Sequence, residues 1–132
     1  MKENLFNMIK TLLLVGFGGA IGSIFRYITH WLTSKYFQSS FPISTFLVNI
    51  LGSLLIGLFI GYLGKYYPEN HPLKFLLIIG FCGGFTTFSS FALENYNLLQ
   101  NNNQITAYIY MATSIILTIS AVGFGNYLSK YL

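Results

Sequence analysis

Gly83-Gly84-Phe85-Thr86-Thr87-Phe88-Ser89-Ser90-Phe91 interrupts a long apolar stretch near the middle of the chain. Leu73 to Gly83 spans about 11 residues, or roughly 16 Å of helix, and Phe88 to Leu99 about 12, or roughly 18 Å. Each half covers about half of a ~30 Å hydrocarbon core, which puts the interruption at the membrane midplane. A helix broken there frees carbonyls and amides that lipid cannot satisfy. Such a break persists only when it is buried in protein or lines a cavity, and in transporters it marks an ion or substrate site. The chemistry to expect is ion coordination.

The side chains around that break fit an anion. In the second apolar stretch Thr45 and Asn49 share a face one turn apart. A carboxamide in hydrocarbon must find partners, and its NH2 group can donate either to another helix or to an anion. After the break Thr87, Ser90 and Glu94 form one stripe, and Phe88 and Phe91 form another. Glu94 is the only acidic residue in a span, and an ionisable group inside a membrane is a functional candidate by default. The phenyl pair reads as packing on spacing alone, although the positive edge of an aromatic ring can also meet a desolvated anion. In the last stretch Tyr110, Ser114 and Thr118 align at four-residue intervals, a row of hydroxyls able to hydrate an ion or to bond back to their own helix.

The elements that position these residues are membrane helices. The chain has 132 residues, of which 54% are hydrophobic and only 8% charged, and its mean hydropathy is +0.61. Soluble domains carry about 25% charged residues, so a water-facing surface is excluded. Four spans of the required length lie at about 9–31, 42–63, 73–99 and 105–127, forming one transmembrane domain over 1–132. Trp31, Tyr62, Tyr66, Tyr67, Tyr127 and Tyr131 sit near span ends, as an interfacial belt requires. The first span exceeds a signal-peptide core, contains Arg26 and lacks a small-residue cleavage site, so it reads as retained. Gly18 and Gly22, and likewise Ser53, Gly57 and Gly61, recur every four residues as close-packing faces. A single cysteine, Cys82, allows no intrachain disulfide, and His30 and His71 read as interfacial. The net charge of +4 is scattered rather than patched, which argues against nucleic acid. Lys2, Lys10, Lys65, Lys74 and Lys130 share one side and Lys35 and Arg26 the other. That bias favours termini facing the cytoplasm, and it is small enough to suit insertion in both orientations.

Three stretches in register resemble the Fluc (CrcB) family of small fluoride channels: Gly18-Gly19-Ala20-Ile21-Gly22 with Arg26-Tyr27, Pro42 to Ser53, and Gly80 to Phe91. The resemblance covers essentially the whole chain. It implies an all-α protein of the cell membrane, assembled as an antiparallel dual-topology homodimer with two fluoride pores; a heterodimer with a paralogue is the other assembly to consider. It further implies a structural sodium ion at the dimer centre, held by the backbone carbonyls of Gly83 and Thr86 from each protomer. The pore asparagine falls on Asn49 and the fluoride-facing phenylalanines on Phe88 and Phe91. The polar track falls on Thr87, Ser90, Glu94, Tyr110 and Ser114, and the vestibule arginine on Arg26. Ser90 stands where the family signature has threonine, and keeps the hydroxyl.

Together these readings give a passive, fluoride-selective channel that lets cytoplasmic fluoride escape. No nucleophile, general acid or nucleotide motif points to an enzyme or a pump. A proton-coupled drug exporter of four helices would need an acidic residue in the first span, which has none. A non-transporting assembly subunit would explain the glycines but not a midplane break carrying Thr and Phe.

Overall fold

The computed structural model describes the backbone of residues 2–132 and the side chains of residues 4–132, so the Lys2 ammonium counted above lies outside the described side chains. Among the described residues four helices are long and apolar enough to cross a membrane, and the protein is a multi-pass membrane protein. The first helix, Lys2–Tyr36, is 35 residues long and overruns the expected span at both ends. Its last polar turn does not stop it, because Thr33 and Ser34 turn their hydroxyls back onto the carbonyls of Thr29 (2.8 Å) and Trp31 (2.9 Å). The second helix, Ile43–Tyr66, ends just ahead of Pro68, which cannot continue it. The fourth, Gln104–Leu128, follows a tight turn in which Asn102 takes the left-handed conformation, φ 58°, that asparagine tolerates.

The third span, Pro72–Gln100, is bent and interrupted. His71 opens it, its Nδ1 accepting the Leu73 N–H at 3.4 Å. Lys74, nearly buried in the first turn, pairs with the exposed Glu69 at 3.3 Å. Phe75–Cys82 is π-helical, a rare geometry that tends to occur at functional sites and that the sequence reading did not anticipate. Helix continues through Gly83–Phe85, two residues beyond the expected stop at Gly83, and resumes at Phe88–Gln100. Only Thr86 and Thr87 are extended, with φ/ψ of −78°/159° and −152°/119°.

Glycine sets how close the helices come. A Cβ on Gly22 would stand 2.7 Å from the Phe85 nitrogen and collide with the Phe81 carbonyl; one on Gly18 would stand 2.9 Å from the Phe81 nitrogen. Gly80 and Gly84 return the same contact toward Val15 and Gly19, so the first helix and the first half of the third span meet backbone to backbone. Gly57 and Gly125 do the same for the second and fourth helices. One side of each close pair, Gly18 with Gly22 and Gly57, was legible as a small-residue face; the partners Gly80, Gly84 and Gly125 were not. At the membrane surfaces Tyr62 stacks near Tyr66, and Tyr127 bonds Tyr131, while Lys35, Lys65 and Lys130 lie over neighbouring aromatic rings.

Candidate functional site

The interruption is held by side chains from two other helices. Asn49 grips the Thr87 peptide at both ends: its Oδ1 accepts the Thr87 N–H at 2.8 Å, and its Nδ2 donates to the Thr87 carbonyl at 3.1 Å. A carboxamide used this way replaces the missing helical bonds of Thr87, since its N–H no longer reaches the Gly83 carbonyl. From the first helix, Ser23 donates to the Gly84 carbonyl and Arg26 to the Thr86 carbonyl, both at 3.4 Å. Thr87 then caps the second half, its Oγ1 accepting the Ser90 N–H at 3.2 Å and donating to the Ser90 hydroxyl at 3.1 Å. Arg26 and Asn49 therefore act first as clamps on the broken backbone, a duty that spacing could not reveal. Among the described residues the second N–H of the Asn49 amide has no hydrogen-bond partner.

Glu94 is brought between two hydroxyls. Its Oε1 accepts from Thr45 at 2.6 Å and its Oε2 from Tyr110 at 2.8 Å. Two short bonds from different helices fix the side chain in place. A carboxylate committed to two helices is poorly suited to the proton-for-cation exchange that an exporter requires. Tyr110 is fully buried and packs edge-on to Phe41, with Phe91 at 5.1 Å, so one ring joins the Glu94 network to the phenyl pair. Phe88 and Phe91 have centroids 5.7 Å apart, yet Phe88 is 80% exposed.

Two cavities, each of about 380 Å³, meet at the interruption. The outer one is lined by Arg26, His30, Thr45, Ser90 and Glu94, so His30 faces the polar chamber and not only the membrane surface. The inner one is lined by Asn49, Ser53, Thr86, Phe88, Phe91 and Ser114. Thr87 borders both. Ser114 is buried, and its hydroxyl has no partner among the described residues. A buried hydroxyl left unpaired costs about 1–3 kcal/mol, so its place on the cavity wall suggests a guest that accepts a hydrogen bond. Thr118, the next hydroxyl along, is turned back onto the Ser114 carbonyl at 2.7 Å. Of the aligned row, Tyr110 serves Glu94, Ser114 faces the cavity and Thr118 serves its own helix. Ser23 and Asn95 escaped the sequence reading. Asn95 is buried and donates to the Phe91 carbonyl at 2.8 Å; its only sequence signal was its place four residues after Phe91.

Comparison with known proteins gives the family. Residues 13–126 match the family described as CrcB-like protein, Camphor Resistance (CrcB). The chain belongs to the CrcB family. Among the relatives of this CrcB chain is a protein of Flavobacterium psychrophilum, 46% identical over 94% of the chain and 100% of the relative. Another, from Azobacteroides pseudotrichonymphae, is 42% identical over 94% and 99%. A third, from Ignicoccus hospitalis, is 41% identical over 94% and 98%. Each of the three is named a fluoride-specific ion channel FluC.

Proposed function

We propose that the protein is a fluoride-selective channel of the cell membrane, through which cytoplasmic fluoride leaves passively. It is a channel and not an enzyme. The observation that carries this reading is the inner cavity, where a carboxamide N–H, a buried unpaired hydroxyl and two phenyl rings face one space beside an interrupted helix. That cavity belongs to a chain that aligns over 94% of its length with a fluoride-specific channel. Hydroxyl and amide donors replace the water of a small, strongly hydrated anion. Phenyl edges add contacts weak enough to let it go. Fluoride efflux from liposomes holding the purified protein tests this; absent flux, or equal chloride and fluoride flux, counts against it. In the same assay Phe88→Ile, which removes a ring edge and keeps apolar bulk, should lower fluoride flux about tenfold or more. Unchanged flux would take Phe88 out of the pathway.

The same reading places the interruption at the membrane midplane and pairs two chains in antiparallel fashion. Phe88 and Gly83 face outward and would be covered by a second copy. Arg26, Thr45, Ser90 and Glu94 line the approach, Thr87 lies between the cavities, and Tyr110 sets the carboxylate. Cysteine crosslinking that reports the termini of one dimer on opposite membrane faces would support the arrangement; uniform orientation would overturn it.

A sodium ion at the centre of that dimer fits the donors available. Among the described residues no three His, Cys, Asp or Glu side chains gather into a metal site, so a cation here would need backbone oxygens. The Gly83 carbonyl has lost its helical N–H to Asn49, and a Cβ on Gly83 would meet nothing within 4 Å. The Thr86 carbonyl keeps a second lone pair beside its long contact with Arg26. These carbonyls, one set per protomer, would hold the ion, and its charge would offset part of the cost of admitting an anion to low dielectric. Purification and assay with N-methylglucamine in place of sodium should lower dimer stability and fluoride flux. An unaffected dimer with full flux would remove the ion from the account.

A further inference from the structure

Ser53 sits four residues after Asn49 and eight after Thr45 on the second helix, and in sequence it belongs to a small-residue face continued by Gly57 and Gly61. Structure separates it from those two glycines. Gly57 presses against the backbone of Val122 and Asn126, and Gly61 against the side chains of Asn126 and Ser129, whereas Ser53 lines the inner cavity with Asn49, Phe88, Phe91 and Ser114. A serine inside a helix commonly bonds back to the carbonyl four residues earlier, as Thr113 does to Ile109 and Thr118 to Ser114. Among the described residues the Ser53 hydroxyl has no such bond, and the cavity it lines also receives the unpaired Ser114 hydroxyl. Two free O–H donors on different helices thus face one chamber whose remaining wall is largely apolar.

We propose that Ser53 is a further fluoride contact, donating to the ion one helical turn beyond Asn49 and in concert with Ser114. Thr45, Asn49 and Ser53 are then three polar steps about 6 Å apart along one helix face, the first at the outer cavity and the last two at the inner. An ion leaving the Asn49 amide needs replacement donors before it reaches bulk water, and the two serines supply them on the side where the wall otherwise offers carbon. Fluoride gains more from a short O–H donor than the larger, more weakly hydrated chloride does, so Ser53 contributes to selectivity as well as to rate.

This rests on the fluoride-channel reading, and one set of liposome measurements separates the two. Wild-type protein that fails to conduct fluoride defeats both. If the wild type conducts, Ser53→Ala should lower fluoride flux about tenfold and reduce the fluoride-to-chloride ratio. Ser53→Cys, which keeps volume but offers only a weak donor, should fall with it. Ser120→Ala, an exposed serine on the fourth helix away from both cavities, should leave flux unchanged. Wild-type flux in Ser53→Ala overturns the assignment, and so does full flux in Ser53→Cys, since volume rather than the donor would then be what matters.

Discussion

Asn49→Asp should abolish fluoride conduction, lowering flux at least a hundredfold in liposomes. The substitution changes one atom and reverses two functions. The NH2 group that donates to the Thr87 carbonyl becomes an oxygen, so two acceptors face each other where a 3.1 Å bond had been. The negative charge also faces the cavity an anion must enter. Two unit charges about 4 Å apart repel by about 4 kcal/mol at an effective dielectric of 20, which corresponds to roughly a thousandfold in occupancy. Deprotonated Asp keeps an acceptor for the Thr87 N–H, so half of the clamp survives. That is why conduction should fail before assembly does. Size-exclusion chromatography alongside the flux assay separates the two effects. Wild-type flux would remove Asn49 from the pathway, and loss of the folded protein without a conducting fraction would make its role purely structural.

Gly22→Val should have the largest effect on folding. The Cβ alone would collide with the Phe81 carbonyl and stand 2.7 Å from the Phe85 nitrogen, and none of these backbone atoms can swing aside. Overpacking a fitted core costs about 1–3 kcal/mol where side chains can adjust, and more where two backbones must separate. The contact is also next to Ser23 and one turn from Arg26, whose bonds to Gly84 and Thr86 depend on that closeness. We expect little monodisperse protein after detergent extraction, and no flux from what remains. Gly16→Val is the comparison, because a Cβ on Gly16 meets nothing within 4 Å and the variant should purify normally. Equal yields of the two variants would contradict the packing argument.

How much of this was readable in the chain depends on the range of each interaction. The four spans follow from runs of apolar residues, and the small-residue faces follow from the helical repeat, so both were local properties. The interruption was visible from its glycines and hydroxyls, but its extent was overestimated. Gly83–Phe85 remain helical because Thr86 still bonds back to the Cys82 carbonyl, at 2.9 Å through its nitrogen. The π-helical run Phe75–Cys82 left no mark in the periodicity of an all-apolar segment. His30 lies near the end of its expected span, but its helix runs on to Tyr36, and the exposed imidazole lines the same cavity as Glu94.

Local periodicity told which face each residue occupies, and with the three motifs in register it determined the membrane class, the span count and the family resemblance. It could not choose partners. Asn49 meets Thr87 across 38 positions, Thr45 meets Glu94 across 49, and Arg26 meets Thr86 across 60. Each of those bonds depends on how far one helix is rotated and how closely it approaches another. That rotation is set by backbone contacts at Gly18, Gly22, Gly57 and Gly125, which no single segment contains. For this reason only the assembled bundle could turn Asn49 and Arg26 into clamps on the broken helix, and leave Ser53 and Ser114 facing the cavity unpaired.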